Sequence, residues 1–487
     1  MIPADLFVAA LLIPVATAIL IPIAGRWPNV REGVTIVGAA LQFGMVAALA
    51  VEVANGARPS VLVTTILPGL DIGFAVEPLG ALFALVAGTL WLANSVYSIG
   101  YMRGNSEPRQ TTFYLLFAVA IASAMGIAFS GNLFTLFLFY EVLTLATYPL
   151  VTHKASPGAM LGGRTYLIVL MSTSIGLLLP AIAITGYLAG TLDFAAGGIL
   201  EGTASTLVLG ALLAAYVFGI GKAAVMPVHF WLPAAMVAPT PVSALLHAVA
   251  VVKAGVFTVV KVIVYVFGVG MLATTGAGDW LVYVAGFTVL AASIVALRQT
   301  NLKRMLAYST VSQLSYVVLA AAILVPISVT GAALHIAAHA VSKITLFFAA
   351  GSVYTAAHAT EIGQLRGIGR RMPWTMVAFA IGAFSMIGIP PTAGFLSKWY
   401  MLSGAMEAES WVAVGVIVLS TILNAAYFLP IVWRAFVSPS DGQTPTVRHG
   451  EAPLPIVMAL TATAIGVVAL FFFPGTPFTL AELVGGS

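Results

Sequence analysis

Apolar runs of about 20 residues, long enough to cross a bilayer as a helix, recur along the whole chain. They fall at 5–25, 33–54, 78–102, 111–129, 132–152, 164–188, 206–226, 241–268, 279–299, 304–325, 327–356, 373–402, 411–437 and 454–474. The fold class that follows is an all-α polytopic membrane protein with about 14 transmembrane helices. Of the 487 residues 61% are hydrophobic and only 7% charged, and no soluble fold exposes so little charge. Met-Ile-Pro-Ala-Asp at the start lacks a basic n-region, so the first run is read as a retained span. The link 55–77 leans polar, and its V-L-V-T-T-I and D-I-G-F-A-V are expected to pair as a small hairpin. There is no cysteine, which removes disulfides and the usual ligands of iron–sulfur clusters. No cofactor is therefore expected, and no redox or hydrolytic site.

Lysine and arginine set the topology. Alternate connections carry Arg26, Arg31, Arg103, Arg109, Lys154, Arg164, Arg298, Lys303, Arg304, Arg366, Arg370, Arg371, Arg434 and Arg448. The opposite connections carry Arg58 alone, with acids such as Asp71, Glu77, Asp193, Glu201, Asp279, Glu407 and Glu409. The basic loops are expected to face the cytoplasm of a prokaryotic cell membrane, with both termini outside. The formal charge of +4 is then the positive-inside signature, and no nucleic-acid partner is expected.

Subtraction leaves five cations, Lys222, Lys253, Lys261, Lys343 and Lys398, all inside spans. A charge at the bilayer centre costs about 2.5–3.5 kcal/mol on insertion scales, so a membrane helix that carries one has a reason to. The stretch Gly219 to Lys261 holds three of the lysines, His229 and His247, and the helix-interrupting Pro227, Pro233, Pro239 and Pro241. A broken helix beside a buried lysine is the pattern of an ion path.

Glu141 is the one acid well inside a span. A lone buried lysine tends to lose its proton and a lone buried glutamate to hold one, whereas a pair stabilises both charges. Lys222, just before the Pro227 break, is the expected partner, and snorkelling at a helix end is its alternative role. Lys253 lies mid-span. Lys261 follows it by eight residues on roughly the same face, as accessory group or interfacial anchor. His335, His339 and Lys343 are spaced i, i+4, i+8 and line one helix face. Histidines titrate near neutral pH and can hand on protons through water. Zinc would need a third ligand, which the sequence does not offer, so no metal is expected. Lys398 follows Pro390 and Pro391, which break the twelfth run. His229 and His247 are further accessory candidates.

The seventh and twelfth runs, both proline-broken and both with a lysine, are an odd number of spans apart and run in opposite directions. That is the arrangement of an inverted-topology repeat. The expected organisation is an N-terminal three-helix segment (1–110), a first repeat (111–268), a second, inverted repeat (269–437) and a C-terminal helix (438–487).

Several motifs carry a resemblance: F-Y-E at Glu141, G-K-A-A-V-M-P-V-H-F-W-L-P from Gly221, and P-T-P-V-S-A-L-L-H from Pro239. L-K-R-M-L-A-Y-S-T-V-S-Q from Leu302, H-A-V-S-K from His339 and G-I-P-P-T-A-G-F-L-S-K from Gly388 complete the set. Over spans four to thirteen the chain resembles the antiporter-like membrane subunits shared by Mrp-type cation/proton antiporters, respiratory complex I and membrane-bound hydrogenases. The resemblance implies two inverted five-helix units and two half-channels joined by a polar axis. Glu141 and Lys222 take the place of its coupled pair, Lys253 of the central lysine, His335 and His339 of the connecting histidines, and Lys398 of the exit residue. With no room after the fourteenth run for the lateral helix of the longest members, the chain is similar to the shorter D-type Mrp subunit or the shorter complex I subunits.

The function expected is a proton-translocating subunit of an Mrp-like Na+/H+ antiporter. The same subunit of a redox-driven complex I-like or hydrogenase-like pump is the alternative, and a structural scaffold is the alternative of another class. Sodium prefers several oxygen ligands, and Glu141 is the only buried carboxylate expected. Protons are therefore the cargo expected here, with any sodium path in a neighbouring membrane subunit.

Overall fold

The computed structural model describes residues 3–438 and 450–486, so Arg448 lies outside the described residues. The first half runs α1 (Pro3–Ile23), α2 (Pro28–Ala54), β1 (Ser60–Leu67), β2 (Leu70–Ala75), α3 (Pro78–Gly104), α4 (Gln110–Ala128), α5 (Leu133–Val151), α6 (Pro157–Ala189), α7 (Thr206–Gly219) and α8 (Thr240–Phe267). The second half runs α9 (Asp279–Leu297), α10 (Leu302–Ala322), α11 (Pro326–Ala357), α12 (Pro373–Ile387), α13 (Ala393–Glu407), α14 (Trp411–Phe436), α15 (Leu454–Phe472) and α16 (Gly475–Gly485). Among the described residues twelve helices are long and apolar enough to cross a membrane. Two shorter apolar helices, α7 and α12, each run into a break. The chain is a multi-pass membrane protein.

Proline sets several helix starts, at Pro28, Pro78, Pro157, Pro326 and Pro373, where its missing N–H breaks no bond. Asn132, Ser156 and Asn301 cap α5, α6 and α10 by accepting from the backbone three residues on. The expected hairpin forms, with Ser60 opposite Ala75 and Leu67 opposite Leu70.

Burial is graded. In the apolar window of α8 every residue is buried, and in α10 and α11 94% are, against 39% in α1 and 33% in α15. The three central helices carry Lys253, Lys261, His335, His339 and Lys343, as the cost of a charge facing lipid requires. The peripheral helices turn Leu, Ile and Val outward, for example Leu12, Ile19, Leu41 and Ile465.

Several charges assigned to loops belong to the folded body. Because α2 begins at Pro28, Arg31 and Glu32 are buried in its first turns, and Glu32 joins Arg31 to Arg103 at the end of α3. Lys303 lies in the first turn of α10 and donates to the Ala238 carbonyl at 2.6 Å. α16, a further short helix, packs back on α11 and α3.

Candidate functional site

The seventh run is broken more thoroughly than its prolines alone suggest. α7 stops at Gly219, a single 3-10 turn holds Gly221–Ala223, Ala224 is left-handed (φ 55°), and one helical turn at Trp231–Ala234 precedes α8. Lys222 sits on that 3-10 turn, inside the break and fully buried. The break can lie against α8 because residue 255 is glycine: a methyl there would come 2.3 Å from the Ala223 nitrogen.

Lys222 Nζ donates to the Tyr140 carbonyl at 2.9 Å and to Thr144 Oγ1 at 2.6 Å, and lies 3.1 Å from the centre of the Tyr140 ring. The expected closed ion pair with Glu141 is not formed. Both Glu141 carboxylate oxygens are buried, and neither has a hydrogen-bond partner among the described residues. The lysine instead takes the carbonyl of the preceding residue and a hydroxyl one turn along α5.

From α8 the polar groups join α11. Lys253 Nζ lies 2.6 Å from His339 Nδ1. The His339 and His335 rings stack at 6.0 Å, and His335 places Nδ1 2.8 Å from Ser397 Oγ and Nε2 3.0 Å from Gln313 Oε1. Lys343 donates to Ser309 Oγ at 2.9 Å, and Ser309 in turn accepts from Tyr427 at 3.1 Å. Next to Ser397, Lys398 donates to the carbonyls of Met386 (2.8 Å) and Ile387 (3.1 Å), the last of α12, with the Tyr316 ring at 4.8 Å. A cation suits this place, where unpaired carbonyls carry the negative end of the helix dipole.

The structure thus gathers Lys253, His339, His335 and Lys343 on α8 and α11, with Lys398 at one end and Lys222 in its own break. The accessory candidates divide. His247 is fully buried on a π-helical turn of α8, against the Phe347 ring, and neither ring nitrogen has a partner among the described residues. Seven residues back along α8, a cavity of about 180 Å³ touches its first residue, Thr240, and is lined also by Tyr101, Lys154, Ala238, Lys303 and Tyr354 among others. His229 stays half-buried near the surface, 3.3 Å from the Pro227 carbonyl, and does not reach the axis. Lys261 does not share Lys253's surroundings. It is fully buried and pairs with Glu77 at 3.2 Å, so Glu77 is not a free loop acid.

Sequence reasoning gave no role to the neutral partners Tyr140, Thr144, Ser309, Gln313 and Ser397. All but Thr144 lie within the motifs that carry the resemblance, and Ser309 and Gln313 are also spaced i, i+4 on α10.

Residues 130–424, the part of the chain that holds both breaks and the whole axis, match the family described as "NADH:quinone oxidoreductase/Mrp antiporter, TM". The chain belongs to that family of membrane subunits. It is 35% identical to NADH-quinone oxidoreductase subunit N of Desulforudis audaxviator, over 83% of each chain. It is 30% identical to the A subunit of the Na(+)/H(+) antiporter of Alkalihalophilus pseudofirmus, over 85% of this chain but only 54% of that longer one. In fold it matches a chain of the Mrp complex from a Dietzia species (TM-score 0.84, 22% identity, 100% and 97% covered). It likewise matches a chain of an archaeal membrane-bound sulfane sulfur reductase (TM-score 0.86, 24% identity, 99% and 97% covered).

Proposed function

We propose that this chain carries protons across the membrane for a multisubunit complex, along a path from the His247 region through Lys253, His339 and His335 to Lys398. The observation that carries the reading is the 2.6 Å approach of Lys253 to His339 in a fully buried core. Two groups that compete for a proton at that distance are a transfer step, since a lysine and an imidazole held together in low dielectric cannot both stay charged. The unpartnered nitrogens of His247 call for water. Water there would connect the cavity at Thr240 and Lys303 to the axis. Lys222 acts as the switch. Its present cage on α5 keeps it apart from Glu141, and moving onto Glu141 would hold its proton, while returning would release it toward Lys253. The two breaks then serve two inverted half-channels, with basic loops in the cytoplasm and both termini outside.

The unpaired Glu141 on α5 supports membrane partners, because a buried carboxylate with no hydrogen-bond partner among the described residues is a place where a neighbouring subunit's charge is useful. For the assembly we propose an Mrp-like cation/proton antiporter, on the likeness to the Alkalihalophilus antiporter chain. The redox-driven alternative is favoured by a specific observation, the relative named subunit N, which matches over 83% of both chains. Among the described residues no group of three or more acidic or histidine side chains is placed to hold a metal ion, so a sodium route would lie in another subunit.

The test is transport by the native complex in liposomes. The double change His335→Ala/His339→Ala should stop proton movement while the complex still assembles. Normal transport in that variant refutes the path. Driving the same vesicles with a sodium gradient, or with a quinone and its reductant, separates the two assemblies.

A further inference from the structure

Lys261 lies outside the axis just described, yet it is as deeply buried as any lysine in it. Its ammonium donates to the Ser130 carbonyl at 2.8 Å, pairs with Glu77 Oε2 at 3.2 Å and faces the Phe194 ring at 4.1 Å. These three partners come from three separate connections, at the end of the first repeat that the topology proposed above places outside. Glu77 joins the hairpin to α3, Ser130 joins α4 to α5, and Phe194 belongs to the segment between α6 and α7.

The backbone stitches the same segments together. Gly131 N donates to the Gly73 carbonyl and Ala75 N to Phe129, which ties the hairpin to the α4–α5 connection. Leu133 N donates to Leu192 and Phe194 N to Gly131, which adds the third segment. That segment is tied to the end of α8 by Ala195 N to Tyr265 and Ile199 N to Val266. Gly268 makes the approach possible, since a methyl there would lie 2.0 Å from the Gly197 carbonyl. Beneath the cap, one turn inward from Lys261, the Phe257 ring packs on Phe83 at 5.0 Å and lies between Lys261 and Lys253 on α8. Thr258 spends its hydroxyl on the Ala254 carbonyl.

We infer that the Lys261–Glu77 pair is the latch of an outer seal, which closes the first repeat to the outside and prevents protons on Lys253 from leaking out without passing Lys398. The inference rests on the proton path proposed above. A fixed buried cation over packed aromatic rings opposes a proton or hydronium in two ways, by charge and by exclusion of water. The Glu77 carboxylate makes the buried cation tolerable, because breaking such a pair leaves an uncompensated charge. Burial pushes the Glu77 carboxyl above the usual range, and Lys261 and, less strongly, Arg58 draw it back. Arg58 itself is held on the carbonyls of Val53 and Ala57.

The chain has no cysteine, so a single one reports water access cleanly. In the native complex in liposomes, Thr258→Cys should resist a small membrane-impermeant thiol reagent added outside, read on this chain by mass spectrometry. Adding Glu77→Gln or Lys261→Met should expose it. The same two changes should raise passive proton leak about tenfold, equivalent to about 1.4 kcal/mol of barrier, with driven transport still measurable. Lys261→Arg should keep the seal. If either opening variant fails to assemble, Phe194→Ala, which leaves the ion pair in place, takes its role. Protection and leak unchanged in assembled variants overturn the seal. Loss of driven transport without leak also overturns it, because the pair would then belong to the path. A wild-type complex that moves no protons refutes the path instead, and the Thr258→Cys protection still tests the cap.

Discussion

The two breaks use one device and connect it differently. In each, a lysine ammonium lies over a tyrosine ring from the helix two spans earlier: Lys222 over Tyr140 at 3.1 Å, and Lys398 over Tyr316 at 4.8 Å. In both pairs the tyrosine precedes the lysine by 82 residues. The tyrosines open matching segments, Y-E-V-L-T in α5 and Y-V-V-L-A in α10. The differences between those segments explain the difference in connection. Thr144 offers Lys222 a hydroxyl, while α10 has Ala320 in that place, and Lys398 turns to the end carbonyls of its own broken helix. Glu141 stands where α10 has Val317. Of these two matching segments, only the one at the first break carries an acid beside the tyrosine that holds the lysine.

The largest effect expected breaks the shared half of the comparison. Lys222→Arg and Lys398→Arg should each lower proton transport by about 100-fold or more, because a guanidinium keeps the charge and does not release its proton. A proton-flux assay on assembled complexes decides. Full activity of either variant would mean that its break serves as scaffold, and that the two breaks are alike in shape only.

Next comes the half that differs. Glu141→Gln should cut transport about tenfold, because Lys222 then loses the neighbouring acid able to compete for its proton. Removing the hydroxyl and carboxylate analogue from the second break is impossible, since Val317 is already apolar. Val317→Ala should accordingly leave turnover within about twofold of wild type, as fits a small core change that touches no charge. Equal loss in both variants would end the claim that the breaks are wired differently.

How much of this could be read from the chain depends on the kind of residue. Charges in apolar runs are rare and costly, so the five lysines, Glu141 and the two histidines of α11 stood out, as did the proline breaks. The hairpin was visible as two short segments, V-L-V-T-T-I and D-I-G-F-A-V, in the polar-leaning link 55–77. The Tyr140–Tyr316 correspondence was not, because tyrosine is ordinary in membrane helices and its match in α10 follows a different residue, Ser315 in place of Phe139. The partner of Glu77 was hidden for a similar reason. An acid at a helix start looks like an exposed loop charge, and only the docking of three connections brings Lys261 within 3.2 Å of it. Lys253 and Lys261 were placed on one face because eight residues is close to two turns, but the remaining angle, about 80° at 100° per residue, turns them to different helices.

Glycine at each break gives a further comparison, in stability. Gly255 lets α8 meet the backbone of the first break, and Gly394 lets α13 meet the second, where a methyl would lie 1.8 Å from the Ser385 carbonyl. Gly255→Ala and Gly394→Ala should each cost about 1–3 kcal/mol, the usual cost of overpacking against a rigid backbone, seen as a lower unfolding midpoint of the purified complex. If Gly255→Ala is tolerated, the first break is looser than the second, which a switch requires and an exit does not.

The smallest effect isolates the rings. Tyr140→Phe and Tyr316→Phe keep the aromatic face under each lysine and remove only a hydroxyl. The Tyr140 hydroxyl accepts from the Lys222 backbone at 3.2 Å, whereas that of Tyr316 donates to the Ile417 carbonyl at 3.3 Å. Each change should cost about 1 kcal/mol of stability and leave most transport intact. Tyr140→Leu and Tyr316→Leu also remove the ring, and a desolvated cation over an aromatic face is worth up to about 2 kcal/mol. The ammonium of Lys222 lies closer to its ring, so the step from Phe to Leu should cost more at 140 than at 316. Measuring that step at both positions compares the two breaks with the chain's own charges untouched. A larger step at 316 would mean that Lys398, despite its carbonyl partners, depends more on the ring, and the contrast between a cross-helix cage and a self-contained cap would have to be reversed.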